Sequence, residues 1–199
     1  NPKIGLTFAD GLRSIVRQDP DVILIGEIRD AETAAIAVQS ALTGHLVFST
    51  LHTNDAVSVI DRLEDIGVEP YLISSALRGV ISQRLVRKIC PHCKKAYRPN
   101  AEELEMLGMP EDSDAVFYRG EGCQECFHTG TRGRRAVFEI LTLNSHLRRM
   151  VSNKADSETV KETALREGFV TMKENCRSLV LRGEISAAEA AKAINSTAG

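Results

Sequence analysis

The decapeptide "DVILIGEIRD", residues 21–30, decides how the rest of the chain is read. Its four apolar residues Val22-Ile23-Leu24-Ile25 are too few for a helix and rich in β-branched side chains, so they read as a short buried strand. Asp19-Pro20 ahead of them stops whatever helix precedes. Gly26 breaks the run, Glu27 stands at the strand's exit, and Asp30 is placed to cap the following helix. Ala34, Ala37, Val38, Ala41 and Leu42 then recur at helical spacing up to Gly44, and "HLVFST" (45–50) reads as a second buried strand. Asp55 to Ile66 is again helical in pattern, with Ala56, Val59, Ile60 and Leu63 inward. Strand, helix, strand and helix with short links predict a parallel sheet flanked by helices. In such α/β folds ligands sit beyond the carboxyl ends of the strands, where Glu27 and the residues after Ser49 fall.

Outward from this centre, "LTFADGLRSIVRQ" (6–18) predicts a helix capped by Thr7, with Phe8, Leu12, Ile15 and Val16 on one face. After Gly67 the organisation changes. "EPYLISSALRGVISQRLVRKIC" (69–90) reads as a helix, then a strand that enters a cysteine pair. Residues 90–135 hold two C-x-x-C pairs with much Gly and Pro. "RRAVFEILTL" is a further strand, and the chain is helical in pattern from Asn144 on. Ser186 and Glu189 form a capping-box pattern before the last helix. These patterns divide the chain into an α/β part (1–89), a tetracysteine module (90–135) and a mostly helical C-terminal part (136–199).

The 199 residues carry a formal net charge of −2 and are 43% apolar, with no run long enough to cross a membrane and no signal sequence. The opening Asn-Pro-Lys reads as the start of a trimmed chain. Near-neutral charge gives no general case for nucleic-acid binding. The cluster Arg84, Arg87, Lys88, Lys94 and Lys95 invites one, but lacks interleaved aromatics and reads as a solvated or partner-facing surface.

Two constellations carry chemistry. A carboxylate ending a buried strand can orient the water that attacks a nucleotide's terminal phosphate. It can equally be a solvated Glu paired with Arg29. His52, Thr53 and Asn54 leave the second strand near Glu27 and can donate hydrogen bonds to phosphate oxygens, whereas His45, at that strand's entry, can be structural. Cys90/Cys93 and Cys123/Cys126 have the spacing of a closed four-thiolate Zn²⁺ site, which leaves no open position for catalysis, with an iron centre or a redox switch as the alternatives. The segment between the pairs reads as poor in apolar residues, so metal binding is expected to drive its folding. His92 and His128 read as exposed bystanders, and Cys176 as a small buried apolar residue.

"GEIRDAETA" (26–34) together with "TGHLVFSTLHTNDA" (43–56), and beyond them "SQRLVRKICPHC" (82–93), resemble the secretion traffic ATPases, the motors of type II secretion and type IV pilus assembly. The resemblance implies part of a RecA-like P-loop NTPase core, working as a homo-hexamer in the cytoplasm, peripheral to a bacterial inner membrane and in contact with a membrane platform protein. It implies that Glu27 is the Walker B glutamate, that His45 and His52 form a His box with His52 sensing the γ-phosphate, and that Arg29 serves the same site. ATP with Mg²⁺ would be the nucleotide and Zn²⁺ a structural metal, with no nucleic acid involved. The phosphate-binding G-x-x-x-x-G-K-[ST] loop of that family occurs nowhere in these residues, so this chain alone is expected to hold half a nucleotide site and to turn over ATP negligibly. A non-catalytic zinc-bearing interaction module and a zinc-ribbon nucleic-acid binder are the alternative readings.

Overall fold

The structure, a computed structural model, describes residues 7–195; the opening Asn1-Pro2-Lys3 lies outside them. Along the chain run α1 (Phe8–Val16), β1 (Val22–Ile25), α2 (Ala31–Leu42), β2 (Leu46–Ser49), α3 (Val59–Ile66), α4 (Pro70–Ala76), β3 (Gly79–Ile89), β4 (Lys94–Tyr97), α5 (Ala101–Met106), β5 (Phe117–Gly120), β6 (Thr131–Thr142), α6 (Ser145–Ser152), α7 (Ser157–Arg166), α8 (Met172–Leu181) and α9 (Ala187–Asn195). This is an α/β fold. It forms two compact units, residues 1–80 with 141–168, and residues 81–140 with 169–199. These differ from a division at 89 and 135. The long strands β3 and β6 pair with each other, so each unit is closed by a returning stretch of chain rather than by consecutive segments.

In the first unit β1 and β2 pair in parallel, with Val22 opposite Leu46 and Ile25 opposite Ser49. The strands are not buried on both faces as their apolar runs suggested. Ile23 and Ile25 are buried, whereas Val22, Leu24, Leu46 and Phe48 are exposed, Leu24 to 78%. Side chains alternate across a strand, and within this unit helices cover only one face of the pair. The same correction applies to α1. Thr7 caps it, in a reciprocal capping box with Asp10, but Ala9 and Leu12 are the buried residues while Phe8 and Ile15 are exposed. Asp30 caps α2 through the Thr33 N–H at 2.8 Å. The buried side of α2 is Thr33, Ala34, Ala37 and Ser40, rotated from the expected face, and Leu42 lies outside it. Gly44 ends this helix with φ +108°, a conformation open to glycine at little cost. The third helix starts at Val59 rather than Asp55. The Asp55 carboxylate accepts the Ser58 N–H and hydroxyl at 2.8 and 2.6 Å. The backbone before Val59 is thereby held in a turn instead of a first helical coil.

The second unit is built on one apolar core of Val86, Leu104, Leu107, Phe117, Val137, Met172, Cys176, Leu179, Val180, Ile185 and small residues of α9. Leu104, Leu107 and Phe117 come from between the two cysteine pairs. That segment is therefore not apolar-poor in effect, because three large side chains anchor it, each contributing about 1.5–3 kcal/mol by burial. Cys176 is fully buried, and burial pushes its thiol up to about 11. The expected capping box at α9 forms on one side. Ser186 Oγ accepts the Glu189 N–H at 3.3 Å, while the Glu189 carboxylate accepts from the Arg87 N–H at 2.8 Å and pairs with Lys192. Likewise Glu139, buried on β6, accepts the Met172 N–H at 3.0 Å and fixes the start of α8.

Candidate active site and metal centre

Both chemical constellations fall at places the backbone prepares. Beyond the parallel pair β1–β2 the two exit segments are stitched together: the Ile28 N–H donates to Thr50 O at 3.1 Å, and the Thr50 hydroxyl donates to Gly26 O at 2.6 Å. These bonds extend the pairing past the last strand residues and bring Glu27 and His52 to one edge. Glu27 Oε2 lies 3.5 Å from His52 Nε2 and 2.6 Å from Arg29 Nε. The pairing with Arg29 and the approach to His52 thus coexist on one carboxylate oxygen. The Arg29 hydrogen bond, opposed by partial burial and aided by the Arg29 charge and by His52, holds the Glu27 carboxyl below its ordinary value. His52 and Arg29 are largely solvent-exposed, at 88% and 73%, whereas Glu27 is 35% exposed. The arrangement is an open-sided edge with one fixed anion flanked by two groups able to donate protons or hydrogen bonds.

The other site residues divide. Thr53 donates to Asp55 O at 3.0 Å and belongs to the turn that carries His52. Asn54 is exposed in the same turn. His45 stands apart at the opposite end of β2, with Nδ1 2.9 Å from Ser40 O and 3.2 Å from the Thr43 hydroxyl. It closes the C-terminal end of α2 and does not join Glu27 and His52. Thr50 builds the site without having been singled out in the sequence, and the sequence did not show that Gly26 would accept its hydroxyl or that Asp55 would hold a turn.

In the second unit the four cysteine sulfurs converge within 4.8 Å of one another. The Cys90–Cys123 and Cys93–Cys126 sulfurs are 3.9 Å apart, and those of Cys123 and Cys126 3.7 Å. A metal with four thiolates at about 2.3 Å has tetrahedral edges of ~3.8 Å, so the sulfurs fit a zinc-sized cage and are too far apart for disulfides. Backbone N–H groups face the sulfurs as thiolate acceptors: Gly122 to Cys93 at 3.3 Å and Cys123 to Cys126 at 3.2 Å. Burial pushes the Cys93 thiol up and that of Cys123 up to about 11, whereas at Cys126 burial is outweighed by the Cys123 and Gly130 amides together with hydrogen bonds from Cys123 and Cys93, which bring that thiol down to about 6. His92 and His128 are exposed and outside the cluster. Beneath the cage Gly120 and Gly130 pass backbone against backbone. A Cβ on Gly130, whose φ is +70°, would come within 2.4 Å of Gly120 O.

Two parallel strands delivering a carboxylate and an imidazole to one edge, with a four-cysteine cage further along the chain, define an α/β protein carrying a polar strand-end site and a four-cysteine cluster able to hold a metal ion. The chain belongs to the type II/IV secretion system protein family, whose pattern it matches over residues 1–192. It is 49% identical over 185 residues to the type IV pilus assembly ATPase PilB of Thermus thermophilus, covering 92% of this chain and 21% of that protein. It is 46% identical over 183 residues to the type II secretion system protein E of Pseudomonas aeruginosa, covering 92% and 36%. Among solved structures, the pilus retraction motor PilT with bound ADP superposes with a TM-score of 0.65 at 30% identity, covering 94% of this chain and 43% of that one. The chain thus spans between about a fifth and two-fifths of the proteins it resembles. No helix among the described residues is long and apolar enough to cross a membrane.

Proposed function

We propose that these residues are the C-terminal part of a RecA-like ATPase core that powers type II protein secretion or type IV pilus assembly, acting as a homo-hexamer on the cytoplasmic face of a bacterial inner membrane, against a platform protein. The observation that carries this reading is the convergence of Glu27 and His52 on one edge at 3.5 Å. The ATPase names of the relatives support it.

In this reading Glu27 orients the attacking water and accepts its proton as the γ-phosphorus–oxygen bond to ADP breaks. His52 donates a hydrogen bond to the γ-phosphate, and Thr53 and Asn54 line the same turn. Arg29 keeps Glu27 ionised and aimed. A Mg²⁺ ion bound with ATP would neutralise phosphate charge. The phosphate-binding loop is supplied by residues other than these, and His45 acts by holding α2 against β2. The exposed face of Val22, Leu24, Leu46 and Phe48 supports a sheet that continues onto further strands or helices of the same core. Zn²⁺ in the four-cysteine cage is structural, since four thiolates complete its shell.

The test compares phosphate release from ATP by the whole protein, by the whole protein with His52→Ala, and by residues 1–199 alone. The reading requires turnover by the whole protein, a loss of at least tenfold in the variant and negligible turnover by the isolated chain. An unaffected variant would remove His52 from the chemistry.

A further inference from the structure

Residues 141–168 fold back into the first unit, and α7 among them brings a charge to the turn that bears His52. α7 packs against α6, and α6 against α4. Val160 and Ala164 of α7 are buried, which fixes the helix and leaves Lys161 half-buried at its side. Lys161 Nζ lies 4.0 Å from Asp55 Oδ2, with the two side chains 36% and 24% exposed. Among the described residues this is the ion pair that Lys161 makes. The distance is too long for a hydrogen bond, so the attraction is one of charge.

Asp55 is the hub of that turn. Its Oδ1 accepts the Ser58 N–H and hydroxyl at 2.8 and 2.6 Å. Its backbone O accepts the Thr53 hydroxyl at 3.0 Å. The second carboxylate oxygen, Oδ2, is the one that faces α7. Ala56 and Val57 just beyond it are buried, so the turn is anchored at this end. His52, before Thr53, is 88% exposed, and its place is set by how the turn is held. A shift of Asp55 is therefore passed through Thr53 to the imidazole.

We propose that Lys161 is a positioning residue for the strand-end site. Its ammonium group draws one oxygen of the Asp55 carboxylate toward α7 while Ser58 holds the other. The carboxylate is thus held from two sides, and Thr53 carries that setting to His52, which stays at Glu27. A helix that the sequence placed in a separate C-terminal part thereby helps to aim the imidazole. The proposal rests on the reading of His52 as the hydrogen-bond donor to the γ-phosphate. Lys161 acts through Asp55 and is not itself a catalytic residue.

The test has two arms. The first compares phosphate release from ATP by the whole protein and by Lys161→Met, Lys161→Arg, His52→Ala and the double variant of Lys161→Met with His52→Ala. Methionine keeps the apolar stem and removes the charge. Lys161→Met should lower kcat about fivefold with KM for ATP within about twofold of the parent. Lys161→Arg, which keeps the charge, should stay within about twofold of the parent. With His52 already replaced, Lys161→Met should lower turnover no further. The second arm follows the histidine ring signals by NMR in the metal-loaded full chain. Lys161→Met should move the His52 signal and leave that of His45, at the other end of β2, in place; Lys161→Arg should leave both unmoved. An equal fall in kcat with His52 present or absent would overturn the proposal, as would no fall at all or a Lys161→Arg as impaired as Lys161→Met. So would an unmoved His52 signal, or movement of His45 as well, which would mark a general loosening. If His52→Ala itself turns over like the parent, the functional reading fails instead, and the His52 signal alone decides whether Lys161 positions that ring.

Discussion

The Thr50 hydroxyl reaches across the end of the parallel pair to the carbonyl of Gly26 at 2.6 Å, one residue from Glu27 and two from His52. This hydrogen bond sets how far apart the two exit segments can be, and so where the carboxylate and the imidazole meet. Thr50→Val removes the bond while keeping the side-chain shape. It should cost about 1 kcal/mol in urea unfolding, and Thr50→Ser should recover most of that. Equal stability of the Val variant would show that the clamp does not hold the site together.

Arg29 and Glu27 predict a pH effect with a definite sign. The Glu27 carboxyl lies below its usual value of 4.5 in the folded chain, chiefly through the Arg29 hydrogen bond. A depressed folded value stabilises the protein above the unfolded value, and the contribution is lost as pH falls through the folded one. Carboxyl NMR should find Glu27 titrating below 4.5, and Arg29→Gln should move it upward. A Glu27 titration unmoved by that substitution would leave Arg29 without the positioning role.

Gly130 should tolerate no side chain. Its left-handed φ and the approach of Gly120 O leave a Cβ nowhere to go. Gly130→Ala should destabilise the second unit by about 3 kcal/mol or more and weaken metal retention, because Cys90 N–H bonds to Gly130 O at 3.0 Å. Thermal melting and metal content measured on the purified variant check both effects.

Metal removal should act locally. Hydrogen exchange after chelation, or in Cys123→Ser, is expected to rise in residues 90–95 and 120–131, where the sulfurs hold the backbone. Residues 101–107 should stay protected, because Leu104 and Leu107 are anchored in the α8–α9 core. Exchange through the whole 90–126 segment would mean that the metal, and not the core, folds it.

The contrast between the two halves of that segment shows what a single sequence can carry. C-x-x-C spacing is a direct statement of metal geometry, so the cage was legible from four letters. The core contribution of Leu104, Leu107 and Phe117 was not, because they are scattered in a polar stretch and meet α8 and α9 only after 50 or more residues of intervening chain. At the strand ends, parallel order and the alignment of Glu27 with His52 followed from the strand–helix–strand pattern. Which faces would be covered did not. Apolar periodicity marks a stripe on α1 or β1 but says nothing of what packs on it, which is why Phe8, Ile15, Leu24 and Phe48 are exposed. Asp55 shows the local limit, since its side chain can begin a helix or hold a turn, and its bonds to Ser58 settle on the turn.

Glu27 is the residue proposed to act on water at the strand end. The direct measurement is steady-state phosphate release by the whole protein with Glu27→Gln, made beside nucleotide binding by the same sample. A fall of about a hundredfold or more in turnover with binding retained is the predicted result. Turnover within about twofold of the parent would contradict the assignment.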